Sequence, residues 1–227
     1  ASPETTFRDA IKTTMSSDHP RRRPMTAELL DEAQVIRVNY IFKQRFSDPG
    51  NFVFYFVGNI DPKVLKPMVE KYIGGLPLVN REETWKDLGI QTPDGVVKKE
   101  VKMGTEPKGT VYINFHGEVK YDWKIKTDVS IMSEILTTRL LETIREEESG
   151  VYSIGAYPSV DHFPSGEYGV TIYFGCDPER MDYLVDAVFA QIKKLQTEGP
   201  SKEDLDKAIK KKLREQETGL RENRFWL

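Results

Sequence analysis

Apolar positions recur every four residues at Phe7, Ile11 and Met15, behind Ser2-Pro3-Glu4, which supplies a cap, a first-turn proline and a first-turn acid. This predicts a short helix, ended by the prolines of "HPRRRP". Leu29, Ala33, Ile36 and Tyr40 form the next stripe, capped by Thr26 with Met25 and Leu30 as a hydrophobic staple, and predict one helix running to about Phe46. "NFVFYFV", residues 51–57, is almost continuously apolar and predicts a strand covered on both faces. Asp61-Pro62 then opens a helix to about Tyr72, which Gly74-Gly75 ends.

Residues 77–95 have no steady period and are rich in Pro, Gly and charge, as a linker would be. Beyond them, Val97, Val101 and Met103 alternate with charged residues and predict a strand with one wet face. Val111, Ile113 and Phe115 predict a second strand, paired with the first in a hairpin-like manner through "GTEPKG". A long helix carries Ile125, Val129, Met132, Leu136, Leu140 and Ile144, with Thr137-Thr138 as a possible division. Strands follow at about 152–156 and 168–174, separated by a loop holding Pro158, Asp161, Pro164 and Gly166. Asp177-Pro178 opens a helix with Leu184, Val188, Ile192 and Leu195 on one face. Ser201 caps a last, charge-rich helix with Leu205, Ile209, Leu213 and Leu220.

The fold class is therefore α+β, with antiparallel sheets and helices packed on one face. Its parts are a tail of one α/β lobe at 1–76, the linker at 77–95, and a second lobe at 96–227 that stops within its last helix. "FYFVGNIDPKVLKPMV" and "TIYFGCDPERMDYLV" both run strand, glycine, Asp-Pro, helix. Common turn chemistry and duplication of one unit both account for this echo.

The 227 residues suffice to bury a core. With 33 Lys and Arg against 36 Asp and Glu, the net charge of −3 argues against a nucleic-acid binder. The one cysteine, Cys176, cannot form an internal disulfide and reads as a small buried residue. No apolar run is long enough to span a bilayer, so a soluble protein is expected, periplasmic or cytoplasmic. The start on Ala1 without Met, and the stop at "RENRFWL" within a helical pattern, read as a segment of something longer.

His19, His116 and His162 stand apart, and neither HExxH nor HxxEH occurs, so no metal is expected in this segment. Glu146, Glu147 and Glu148 point about 100° apart on a helix and sit at its C-terminal end, which suits a solvated surface better than a shared ion. Arg21, Arg22 and Arg23, flanked by prolines, read as a solvated turn. No phosphate loop or serine nucleophile motif is present.

Arg145 and Tyr152 remain. They lie seven residues apart across a reversal that Gly150 permits, one ending a helix and one opening a strand. A forked cation and a neutral phenol suit a peptide carbonyl or an oxyanion. Alternatively, Arg145 pairs with Glu142 or Glu148 and Tyr152 packs.

"LLETIREEESGVYSIGAY" resembles the leucine, arginine, glycine and tyrosine motif in the C-terminal half of the pitrilysin/insulinase family of zinc metallopeptidases. "YIFKQRFSDPGNFVFYFVGNIDPKVLKPMVEKYIGGLP" resembles the segment where one α/β lobe of that family ends and the next begins, and "GPSKEDLDKAIKKKL" its late helix. The likeness runs from about Thr26 to the C-terminus. It implies lobes of the pitrilysin and processing-peptidase type, in a clamshell whose N-terminal half holds zinc through an inverted HxxEH motif. By resemblance, this segment is the half that closes over a peptide substrate, excludes water and contacts the peptide backbone through Arg145 and Tyr152. It would be inactive alone and need the N-terminal half, in the same chain or a partner subunit. Two other classes fit the sequence: a non-catalytic scaffold relative, and an unrelated α+β module that binds a peptide or partner along Lys98 and Lys102.

Overall fold

The computed structural model describes residues 2–79, 81–147 and 151–227, with all of their side chains except those of Arg145, Glu146, Glu147 and Tyr152. The chain forms two compact units, one of residues 1–102 with 219–227 and one of residues 103–218.

The first unit contains α1 (Pro3–Thr14), α2 (Ala27–Asp31), α3 (Val35–Phe46) and α4 (Pro62–Tyr72). Ser2 caps α1 by accepting from the Thr5 amide, and Asp61 caps α4 by accepting from the Lys63 amide at 2.8 Å, as the sequence predicts. The single helix expected from Thr26 to Phe46 is two. Thr26 caps α2, but Gln34 turns extended (φ −97°, ψ 115°) and restarts the chain as α3 without a side-chain cap. Packing, more than propensity, holds a helix together. Here the staple residues Met25 and Leu30 are exposed, as is most of the expected stripe, so nothing enforces one continuous rod.

Residues 52–57 correct a second expectation. They are no strand: no described residue pairs with them, and Val53 and Tyr55 are more than 70% exposed instead of covered. The apolar run carries the propensity of a central strand, but a ladder needs a neighbour to form. Residues 97–103 likewise lie outside any ladder, because the adjacent strand takes a different partner.

The second unit is built on β1 (Gly109–Glu118), α5 (Trp123–Leu140), β2 (Val151–Asp161), β3 (Glu167–Cys176), α6 (Met181–Glu198) and α7 (Lys202–Gly219, its last residue in the first unit). The three strands form an antiparallel sheet in the order β1-β3-β2. Register aligns Val111, Phe174 and Ile154 in one row, and Ile113, Ile172 and Ala156 in the next. This face packs on Leu136 and Leu140 of α5 and on Leu184 and Val188 of α6, giving helices on one face of the sheet. Thr171 and Tyr173 alternate to the other face.

Strand β2 is longer than expected, running through Pro158 to Asp161. The order of the sheet explains why. β2 is an edge strand, and the Ala156 amide points away from β3 to meet the Thr137 hydroxyl at 2.9 Å. Two residues on, position 158 shares that outward direction, where proline forfeits no ladder bond. Thr137 therefore does not divide the helix; it covers an edge. Thr137→Val should leave the buried Ala156 amide unpaired and cost about 1–3 kcal/mol, read as a lower urea midpoint with faster exchange of that amide.

Chain reversals are tight. A side chain at Gly166 would meet the Val119 carbonyl oxygen at 2.0 Å, so only glycine lets the β2–β3 turn pass the end of β1. Gly199, at φ +74°, ends α6. In α7 the expected stripe is mostly exposed and Ala208 is its buried contact. Leu205 and Ile209 instead border an apolar cavity of about 810 Å³ shared with Met132 and Phe115. Among the described residues, no helix is long and apolar enough to cross a membrane.

The echo persists as turn chemistry. Asp177 accepts from the Glu179 amide at 2.9 Å as Asp61 does from that of Lys63, although Pro178 begins a short 3-10 turn before α6.

Candidate substrate-contact site

Helix α5 does not end where α-helical geometry ends. From Leu141 to Glu147 the backbone continues as a π-helix. Leu140 and Ile144, one turn apart across this change, are both fully buried in the core. Such insertions re-aim the following residues and recur at functional sites. Arg145 is the next residue after Ile144; its side chain lies outside the described residues.

Strand β2 opens on Val151, which is again buried in the same cluster. Pairing with β3 is irregular there. Val151 faces Cys176 and Ile154 faces Phe174, so β2 spends three steps where β3 spends two. Tyr152 falls inside this bulge, a device that turns side chains away from their regular alternation. Its side chain, and all of Gly150, also lie outside the described residues, as does Glu148. The structure thus anchors the backbone of both predicted contact residues on immediate neighbours in the core.

Two further residues steady this end of the fold, and the sequence offered little signal for either beyond their place in a helix. Thr137 pins α5 to β2, as described. Arg139, largely buried, donates through Nη2 to the Gly199 carbonyl at 3.1 Å and to Asp204 at 3.3 Å. Asp204 forms a capping box with Ser201 at the start of α7. The Ser201 hydrogen bond, followed by Arg139, holds the Asp204 carboxyl below its ordinary pKa. A carboxylate lowered in the folded state stabilises the fold above its unfolded pKa, and that contribution is lost as pH falls through the folded value.

His19 accepts from the Arg21 amide through Nδ1 at 3.2 Å. His162 lies against the rings of Tyr121 and Phe163, at centroid distances of 4.9 and 4.2 Å. His116 sits on β1 opposite Gly169. Among the described residues, no group of three His, Cys, Asp or Glu side chains could hold a metal ion. Burial, with Asp177 nearby, raises the Cys176 thiol pKa, so it stays protonated and poorly nucleophilic at neutral pH.

Comparison with known proteins places this geometry. A family model described as the peptidase M16 inactive domain matches residues 40–212. A zinc protease PQQL-like protein of Arabidopsis thaliana is 28% identical over 99% of this chain and 25% of its own length. The crystal structure of the periplasmic protease PqqL from Escherichia coli superposes with a TM-score of 0.82 at 20% identity, over 99% of this chain and 25% of that one. The ferredoxin protease FusC, solved in complex with Arabidopsis ferredoxin, gives a TM-score of 0.73 at 16% identity over 95% of this chain and 23% of that one. The chain spans about a quarter of the length of these relatives. With the model covering well over half of its residues, the chain belongs to the peptidase M16 family of zinc proteases, as the family's inactive domain.

Proposed function

We propose that this chain is the substrate-clamping part of a zinc-dependent peptidase, and that it holds the peptide backbone opposite a zinc site carried by the N-terminal half. The observation that carries the reading is a pair of backbone irregularities: the π-helix includes Arg145 and the bulge includes Tyr152, each one residue beyond a side chain buried in the core. Contact groups need such rigid support, because a donor displaced by about 1 Å loses most of its effect on a reacting carbonyl.

In this reading the peptide carbonyl oxygen accepts from the Tyr152 phenol and the Arg145 guanidinium. Both bonds strengthen as the oxygen gains negative charge, which is what makes them catalytic and not merely adhesive. Tyrosine donates without a charge of its own, while arginine adds a fork and a permanent charge. Closure of the two halves would exclude water and sharpen both interactions. Zinc belongs to the other half, and the chain alone is inactive.

Reconstitution tests this directly. Mixing the HxxEH-bearing half with this chain should produce peptide hydrolysis that neither gives separately. An upstream half that hydrolyses peptides equally well without this chain would remove the clamp. An upstream half without HxxEH would make the assembly a scaffold.

A further inference from the structure

A cavity of about 410 Å³ lies within the first unit, between α3 and the loop that follows α4. One wall is a single face of α3, where Arg37, Tyr40, Ile41, Gln44 and Arg45 recur at spacings of three and four. Arg81 and Glu83 form the other wall.

The loop is built to keep Arg81 there. Asp48, only 6% exposed, accepts from the backbone amides of Arg81 at 2.8 Å, Gly50 at 3.1 Å and Val79 at 3.2 Å. Asn51 donates through Nδ2 to the Arg81 carbonyl at 2.6 Å. The Arg81 amide, above all, keeps the Asp48 carboxyl below its ordinary pKa, so it is ionised at neutral pH. Asp48 is thus spent on the backbone.

Glu83 bridges two of the arginines. One of its oxygens accepts from Arg45 Nη1 at 3.1 Å, and the other pairs with Arg81 Nη2. Three guanidinium groups therefore line the cavity against one carboxylate, that of Glu83. Among the described residues, Arg81 Nε is buried without a hydrogen-bond partner. The Arg37 guanidinium lies 5.1 Å from the centroid of the Tyr40 ring, a contact through its face that does not itself occupy the N–H groups.

We propose that this cavity binds a carboxylate of a peptide, with Arg37 and Arg81 as its donors and Glu83 as its internal rival. A planar carboxylate matches the forked donors. Taking the carboxylate to be a peptide's rests on the proposed function; binding itself does not.

The test uses the 227-residue chain and three fluorescein-labelled Gly-Ser hexapeptides: one with a free C-terminus, its amidated twin, and an amidated twin carrying one internal Glu. Fluorescence anisotropy should show the first or third binding about tenfold more tightly than the amidated twin. Which of the two does so identifies an α-carboxylate or a side-chain carboxylate as the ligand. Arg37→Gln, an exposed change on α3, should abolish the preference. Glu83→Gln should strengthen it by freeing Arg45 and Arg81. Arg145→Ala and Tyr152→Phe should leave it unchanged, which separates this site from the clamp. Equal binding of all three peptides, a preference that survives Arg37→Gln, or one that weakens in Glu83→Gln would overturn the proposal.

Discussion

In the complete enzyme, Tyr152→Phe should lower kcat for peptide hydrolysis by about a hundredfold while zinc content stays at the wild-type level. The size follows from what is removed. Phenylalanine keeps the ring and its packing and deletes one donor, and losing one oxyanion donor commonly costs about 3 kcal/mol of barrier. Because the bond strengthens as charge develops, the loss falls on kcat more than on KM. Arg145→Ala should cost a similar amount or more, since its donors are charged. Arg145→Lys should recover only part, because a point charge lacks the fork. Steady-state kinetics with metal analysis checks both, and wild-type turnover in both variants would remove these residues from the mechanism.

The second large effect concerns the support and not the contact. Phe174 is fully buried on the central strand, in register between Val111 and Ile154. Phe174→Ala should destabilise the second unit by about 3–5 kcal/mol, through lost burial and the cavity left behind. Tyr173, the next residue, faces the other way and is 47% exposed. Tyr173→Ala should cost less than about 1 kcal/mol. Urea denaturation compares the two, and equal losses would mean that the sheet does not bury the face assigned to it. Phe174 and Val151 belong to the same core cluster, so the larger loss should loosen the bulge that carries Tyr152.

Local chemistry was the most legible part of the sequence. Ser2-Pro3, Asp61-Pro62, Asp177-Pro178 and Ser201 each cap as their residue types predict, because a cap is decided within four residues. Period-two alternation placed β1 and β3, and period-3.6 spacing placed α5 and α6, because each of these elements buries one face on the same core. Features that depend on distant partners were hidden. Residues 52–57 read as a covered strand, yet a strand's neighbours are written elsewhere than in the strand itself. Pro158 appeared to end β2 because the edge position that tolerates it follows only from the order of the sheet. The break between α2 and α3 reflects missing tertiary support, which a stripe of apolar residues does not reveal.

At the site, the sequence and the family likeness singled out Arg145, Gly150 and Tyr152. Neither predicted the π-helix or the bulge. Both are departures from ideal geometry beside side chains of one core cluster, Leu140, Ile144, Val151 and Ile154. The side chains of the triple glutamate, most conspicuous in the sequence, lie outside the described residues. The less conspicuous Thr137 ties α5 to β2, and Arg139 ties α5 to the start of α7.

The clamp is tested most directly by where a bound peptide lies. A structure of the complete enzyme with an uncleaved peptide should place one main-chain carbonyl oxygen within about 2.6–3.2 Å of the Tyr152 hydroxyl or the Arg145 guanidinium. A peptide seated at the catalytic half with both side chains remote from its backbone would contradict the account.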